Sequence, residues 1–251
     1  MKRLKAFVYG ILAGLSIALG GTVFLSVDHK VVGAVCFTVG LFTVCTFGFN
    51  LFTGKVCYVF ERGRDYALDL PFIWLGNLCG AYLTAFLESQ TRAGANLMAK
   101  AQALCEVKLG DGLLSIFILA VFCNLLIFIA VDGYSSNPHG VGKYLSLFFG
   151  IVTFILCGFE HCVANMYYFS MAGMWSLKTL GYVLIMVTVQ SPVATEQLGA
   201  ALRFAHAHFV GAHSTPRAVF FPKMRFPEKM IEIYFALRRE ILRSNGSATP
   251  D

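Results

Sequence analysis

The sequence predicts an all-α polytopic membrane protein, an inverted repeat of 3+3 transmembrane helices in which the second and fifth helices are broken. Three observations carry this expectation. Hydrophobic residues make up 57% of the chain and charged residues only 14%, with a mean hydropathy of +0.68, far from ordinary soluble usage. The 251 residues leave room for about six spans of ~20 residues and for no separate soluble catalytic domain. The third is a recurrence: Gly48-Phe49-Asn50 and Gly158-Phe159-Glu160 interrupt two apolar runs with the same Gly-Phe-polar pattern.

The first run, 6–27, follows the basic Met1-Lys2-Arg3-Leu4-Lys5. It is longer than a signal-peptide core and is read as the first membrane helix. The second, 31–60, is too long for one straight crossing and is broken near 48–54, through Gly48-Phe49-Asn50-Leu51-Phe52-Thr53-Gly54. The third covers 68–88, and a polar connection leads to the fourth at 109–131. The fifth, 144–172, is again overlong and is broken near 158–165, from Gly158 to Asn165. The sixth, 177–189, is short for a crossing and reads as incomplete. None of the seven prolines falls in either broken helix, so glycines and local polar contacts must accommodate the breaks.

Three crossings per repeat set the halves in opposite orientations, with half-helix ends meeting near the midplane. Half-helix N-termini there favour an anion. Lys2, Arg3 and Lys5, with Arg62 and Arg64, argue for a cytoplasmic N-terminus in the cell (plasma) membrane. Six crossings return the C-terminus to the same side.

Glu160 and His161 put an ionisable pair at membrane depth, which marks a transport pathway. A bare anion in an apolar constriction faces a large desolvation penalty, whereas its neutral conjugate acid does not. An imidazole donates a hydrogen bond or a proton near neutral pH. Cysteines 36, 45, 57, 79, 105, 123, 157 and 162 lie mostly in apolar segments without disulfide or zinc spacing. No nucleotide-binding loop, metal site, cofactor or nucleic-acid partner is expected, and the single buried histidine without a paired serine argues against an intramembrane enzyme. A neutral-solute pore needs no titrating pair. The net charge of +6 is accounted for by topology.

On these residues the chain resembles the formate/nitrite transporters, in the short form that includes hydrosulfide channels. The resemblance covers about residues 1–187. It rests on Gly158-Phe159-Glu160-His161 with Ala164-Asn165-Met166, on Leu51-Phe52-Thr53, and on Gly76-Asn77-Leu78-Cys79-Gly80-Ala81, in family order. It implies an aquaporin-like protomer in a homopentamer, each protomer with its own pathway for small monovalent anions. His161 is then the central histidine, facing Thr53 and flanked in the break by Glu160 and Asn165. Asn124 matches a polar residue near it. Phe37, Leu41, Leu51, Phe52, Ile127 and Phe154 match two apolar constrictions, and Lys108, read at the start of the fourth helix, matches a lysine that draws anions to the pore. Each has a structural alternative. His161 fits a satisfied core histidine, Glu160 a brace of the broken helix (the preferred role for that residue), Thr53 an N-cap, Lys108 a snorkelling anchor and the aromatics simple packing. The function implied is a channel or proton-linked transporter for formate, nitrite or hydrosulfide in the lipid bilayer.

The chain departs from the family near its sixth helix. The spacing from Gly48 to Gly76-Asn77, repeated after Gly158, predicts Gly-Asn near 186, where the family carries it. This chain reads Met186-Val187-Thr188-Val189-Gln190-Ser191-Pro192. Residues 190–251 form an atypical basic C-terminal tail after a membrane channel domain at 1–187. Three accounts fit: a frameshifted or misjoined reading frame, which is favoured, a degenerate terminus, or a cytoplasmic extension. A disrupted sixth helix makes a non-conducting membrane protein the alternative function. His206, His208 and His213 lack acidic or cysteine partners for a metal. Met230, Tyr234, Leu237 and Ile241 make one face of an amphipathic segment beside Arg238, Arg239 and Arg243, and the sequon at Asn245 means little on a cytoplasmic end.

Overall fold

Helix follows helix without a strand along residues 2–189, which are the residues the structure, a computed structural model, describes. The expectations for the tail, including its histidines and its amphipathic segment, lie outside the described residues. The elements are α1 (Lys2–Ser26), α2 (Lys30–Phe47), α3 (Phe52–Val56), α4 (Val59–Arg62), α5 (Arg64–Ser89), α6 (Gly94–Gly110), α7 (Leu113–Ser136), α8 (Gly140–Cys157), α9 (Cys162–Ala172) and α10 (Leu177–Val189). Among the described residues α1, α2, α5, α7 and α8 are long and apolar enough to cross a membrane. The described part of α10 is 13 residues and accounts for about 20 Å at ~1.5 Å each.

One element differs from the sequence reading. The stretch between the third and fourth spans is a 17-residue helix, α6, and Lys108 sits in its last turn rather than at the start of the fourth helix. The fourth span begins only at Leu113, after Asp111 and Gly112. Ala, Leu, Met, Lys and Gln dominate α6 and favour helix. Leu97, Ala101 and Cys105 recur every fourth residue as its buried face, so it is amphipathic rather than spanning.

The two halves repeat at a separation of 110 residues. Helices α2 and α8 are each 18 residues long, preceded by His29 and His139, and end at Gly48 (φ 68°) and Gly158 (φ 69°). Both glycines hold the left-handed conformation that a side chain resists. Phe49 N–H then bonds Val44 O and Phe159 N–H bonds Phe154 O, each at 3.0 Å, the closing bond of a Schellman turn. The extended residues that follow find partners on the first helix of their own half: Asn50 N–H on Tyr9 O and Glu160 N–H on Leu119 O. Backbone can leave a helix at membrane depth only where neighbouring elements satisfy it in this way.

Packing is closest where α1 crosses α5. A Cβ added at Gly10 would lie 2.8 Å from Ile73 O, and one at Gly14, Gly76 or Gly80 would meet a backbone carbonyl of the facing helix, that of Asn77, Phe7 or Ile11 respectively. Small residues four apart on both helices let the backbones touch, the usual source of helix association in an apolar solvent. The polar and apolar surfaces are inverted relative to a soluble protein. Thr53, Asn77, Asn124, Glu160, His161 and Asn165 are buried, while Leu19, Phe42, Phe86, Phe122 and Phe149 face outward. The eight cysteines are free thiols.

Candidate functional site

The two breaks bring the starts of α3 and α9 together. Thr53, one residue into α3, and His161, the N-cap of α9, are buried, with Thr53 Oγ1 3.1 Å from His161 Nε2. His161 Nδ1 accepts a hydrogen bond from Ala164 N–H at 3.1 Å. In a neutral imidazole that acceptor role leaves the ring proton on Nε2. Nε2–H is therefore a donor aimed at Thr53 Oγ1, whose own hydroxyl proton is free to turn toward a third group. Two donors converge at one buried point. Thr53 is not the N-cap of α3; that position belongs to Leu51.

Each break is held differently. In the first, Asn77 on α5 acts as a clamp: its Oδ1 accepts from Phe52 N–H at 2.8 Å, and its Nδ2 donates to Asn50 O at 2.9 Å and to Gly10 O at 2.8 Å. In the second, Glu160 does the bracing with charge. Lys108 Nζ lies 2.7 Å from Glu160 Oε1, with side-chain exposures of 11% and 5%, and Asn165 Nδ2 donates to Glu160 Oε2 at 2.5 Å. Lys108 is thus compensated rather than bare, and a pair this buried survives because hydrogen bonds accompany the attraction. Asn165 also approaches Met186 Sδ at 3.3 Å.

Lys108, His161, Asn165 and Phe154 line one cavity of about 50 Å³. Phe154 stacks on the His161 ring at 5.6 Å between centroids and meets Phe37 edge-on at 5.9 Å. Phe37, Leu41, Leu51, Ile127 and Phe154 share one buried cluster. Phe52 belongs to a second, with Ala6, Leu70 and Phe128. Asn124 Nδ2 approaches Cys57 Sγ at 3.7 Å, and that thiol in turn approaches Thr53 O at 3.3 Å, so Asn124 reaches the Thr53 segment through a cysteine not singled out in the sequence. A larger recess of about 690 Å³ between α2 and α8, bordered by Val39, Phe42, Tyr144 and Phe148, has no charged lining residue and is not the place to seek anion chemistry.

Sequence reasoning missed the clamp made by Asn77, although an asparagine in an apolar run is itself a signal. It also missed a half-buried trio away from the histidine, in which Glu88 receives hydrogen bonds from Thr22 and Tyr167, each at 2.7 Å.

Membrane-length apolar helices, two of them broken so that their tips present buried hydrogen-bond donors, define a multi-pass membrane transport protein. The chain belongs to the formate/nitrite transporter family, whose model matches residues 1–199. It is 31% identical to the uncharacterized transporter YrhG of Bacillus subtilis, over 66% of this chain and 72% of that one. It is 28% identical to the nitrite transporter NirC of Escherichia coli, over 72% and 74%. Among solved structures, a pentameric formate channel with formate bound shares the fold, with a TM-score of 0.68, 23% identity, and coverage of 81% of this chain and 96% of that one.

Proposed function

We propose that this chain forms a passage for small monovalent anions, with formate, nitrite and hydrosulfide as candidate substrates, and that a proton travels with the anion at His161. The carrying observation is the buried Thr53–His161 contact at 3.1 Å. An anion displacing that contact receives hydrogen bonds from Nε2–H and from the threonine hydroxyl. Phe37, Leu41, Leu51, Phe52, Ile127 and Phe154, all buried, form the constrictions on either side, where charge is costly and the conjugate acid crosses more easily. Lys108 attracts anions toward the cavity, and its pairing with Glu160 limits how tightly they are held. Asn165 orients Glu160, and Asn124 supports the Thr53 segment through Cys57.

The halves, repeating at 110 residues, are inverted in the membrane. The protein assembles as a homopentamer in the plasma membrane, as the pentameric formate channel of the same fold suggests, with its N-terminus in the cytoplasm. The abundance of cysteine in so small a chain inclines the choice toward hydrosulfide. One observation favours a second reading, a non-conducting membrane protein: α10 carries Val187 where the repeat calls for an asparagine.

The test is flux of the three anions into proteoliposomes holding the full-length chain, across pH, with His161→Phe beside the wild type. Wild-type flux that rises in acid, with that pH dependence lost in the variant, is the expected result. Identical pH profiles for the two proteins sink the proton part, and absence of wild-type flux for every anion selects the second reading.

A further inference from the structure

A tyrosine that no part of this reading employs faces the same cavity as His161. His161, Ala164, Asn165 and Tyr168 follow the i, i+3, i+4, i+7 spacing that gathers residues on one helical face, and all four line the 50 Å³ cavity that Lys108 also borders. Tyr168 is 3% exposed, yet its hydroxyl has no hydrogen-bond partner among the described residues. Asn165 Oδ1, on the same face, is likewise without one, while its Nδ2 is taken by Glu160. Leaving a buried donor and a buried acceptor unpaired is costly unless a ligand satisfies them. The cavity exceeds the ~10–15 Å³ that one water needs and suits an ion of three or four atoms.

Tyr167 supplies the contrast from the adjacent position. Its hydroxyl donates to Glu88 Oε2 at 2.7 Å and lies 2.9 Å from Thr22 Oγ1, so it has no need of a ligand.

We propose that Tyr168 binds substrate: its hydroxyl donates a hydrogen bond to a small monovalent anion waiting in this cavity, beside Lys108 and before the Thr53–His161 point. A protonated substrate satisfies Asn165 Oδ1 at the same time, so the cavity favours the acid form that must next enter the constriction. The proposal rests on the anion-passage reading of His161 and Thr53.

The experiment measures initial flux against concentration for formate, nitrite and hydrosulfide, using full-length wild type, Tyr168→Phe, Tyr168→Met and Tyr167→Phe in proteoliposomes. Loss of one hydrogen bond to a charged ligand should raise the half-saturating concentration about tenfold in both Tyr168 variants. The limiting rate should stay within about twofold, and Tyr167→Phe should leave half-saturation unchanged. Half-saturation unmoved for all three anions in both Tyr168 variants overturns the role of Tyr168 and leaves the passage itself standing. A lower limiting rate with half-saturation unmoved, which poor reconstitution alone would give, overturns it equally. Wild type that carries none of the anions removes both proposals together.

Discussion

Asn77 on α5 and Val187 on α10 stand 110 residues apart, the separation that relates Gly48 to Gly158, yet only Asn77 can bind a helix break. Its amide joins Phe52 N–H, Asn50 O and Gly10 O, whereas Val187 packs as a partly buried apolar residue. The first break is therefore anchored by its third span. The second is held by Lys108 on Glu160, by Glu160 N–H on Leu119 O and by Asn165 beside Glu160 and Met186.

Asn77→Ala should accordingly destabilise the fold by about 2–4 kcal/mol, the combined effect of three lost hydrogen bonds and of backbone groups left buried without partners. Val187→Ala should cost about 1 kcal/mol, the loss of a partly buried side chain. Thermal unfolding of the two variants in one detergent, followed by the loss of the size-exclusion peak, compares them directly. Equal Tm shifts would contradict the asymmetry.

Lys108 and Glu160 should behave as a coupled pair. Glu160→Gln or Lys108→Met alone strands a buried charge and should cost about 3–5 kcal/mol. The double variant should lose much less than the sum, with a coupling of at least ~1.5 kcal/mol. A double-mutant cycle on Tm or denaturant midpoint gives that coupling, and additive losses would show that the two charges act independently.

The seam between α1 and α5 predicts a strong dependence on side-chain size. Gly14→Val and Gly80→Val drive a side chain into a facing backbone carbonyl and should each cost about 1–3 kcal/mol or more. Gly181→Ala on α10 meets nothing within 4 Å and should hold or slightly raise the Tm, since alanine gains up to ~1 kcal/mol over glycine in a helix. The yield of folded protein in detergent, ranked for the three variants, is the check.

Lys100 Nζ lies 2.6 Å from Asp28 Oδ1 in the connection between α1 and α2. Hydrogen bonding to Lys100, and then its charge, hold the Asp28 carboxyl below its ordinary value. A carboxylate with a lowered folded-state pKa contributes stability that is present above its unfolded value and fades as pH falls through the folded one. The Tm difference between wild type and Asp28→Asn should therefore be flat from about pH 5 to 8 and vanish in stronger acid. It should also be small and shrink with added salt, because the carboxylate is fully exposed. A difference that grows on acidification would reverse this assignment.

Much of this architecture could be read from local pattern. Long apolar runs announced the spans, and Gly48 and Gly158 announced the ends of α2 and α8, because a glycine followed by a polar residue inside such a run has few other uses at membrane depth. Glu160 and His161 stood out for the same reason. Helix α6 escaped notice because its apolar face is only Leu97, Ala101 and Cys105, too sparse to compete with the neighbouring spans, although the four-residue period was present.

What the chain determined by itself was thus the class of protein, the order of its spans and the positions of its breaks, all carried by composition and short-range periodicity. What only the tertiary structure decided was which polar groups meet across large separations. Thr53 reaches His161, Lys108 reaches Glu160, and Asn77 reaches back to Gly10. Tyr167 and Tyr168 make the point most simply. They are the same residue type at adjacent positions, yet one hydroxyl is bound by Glu88 and the other has no partner among the described residues. The turn of one helix between them, about 100° per residue, sends them to different neighbours, and those neighbours come from parts of the chain that no local pattern connects.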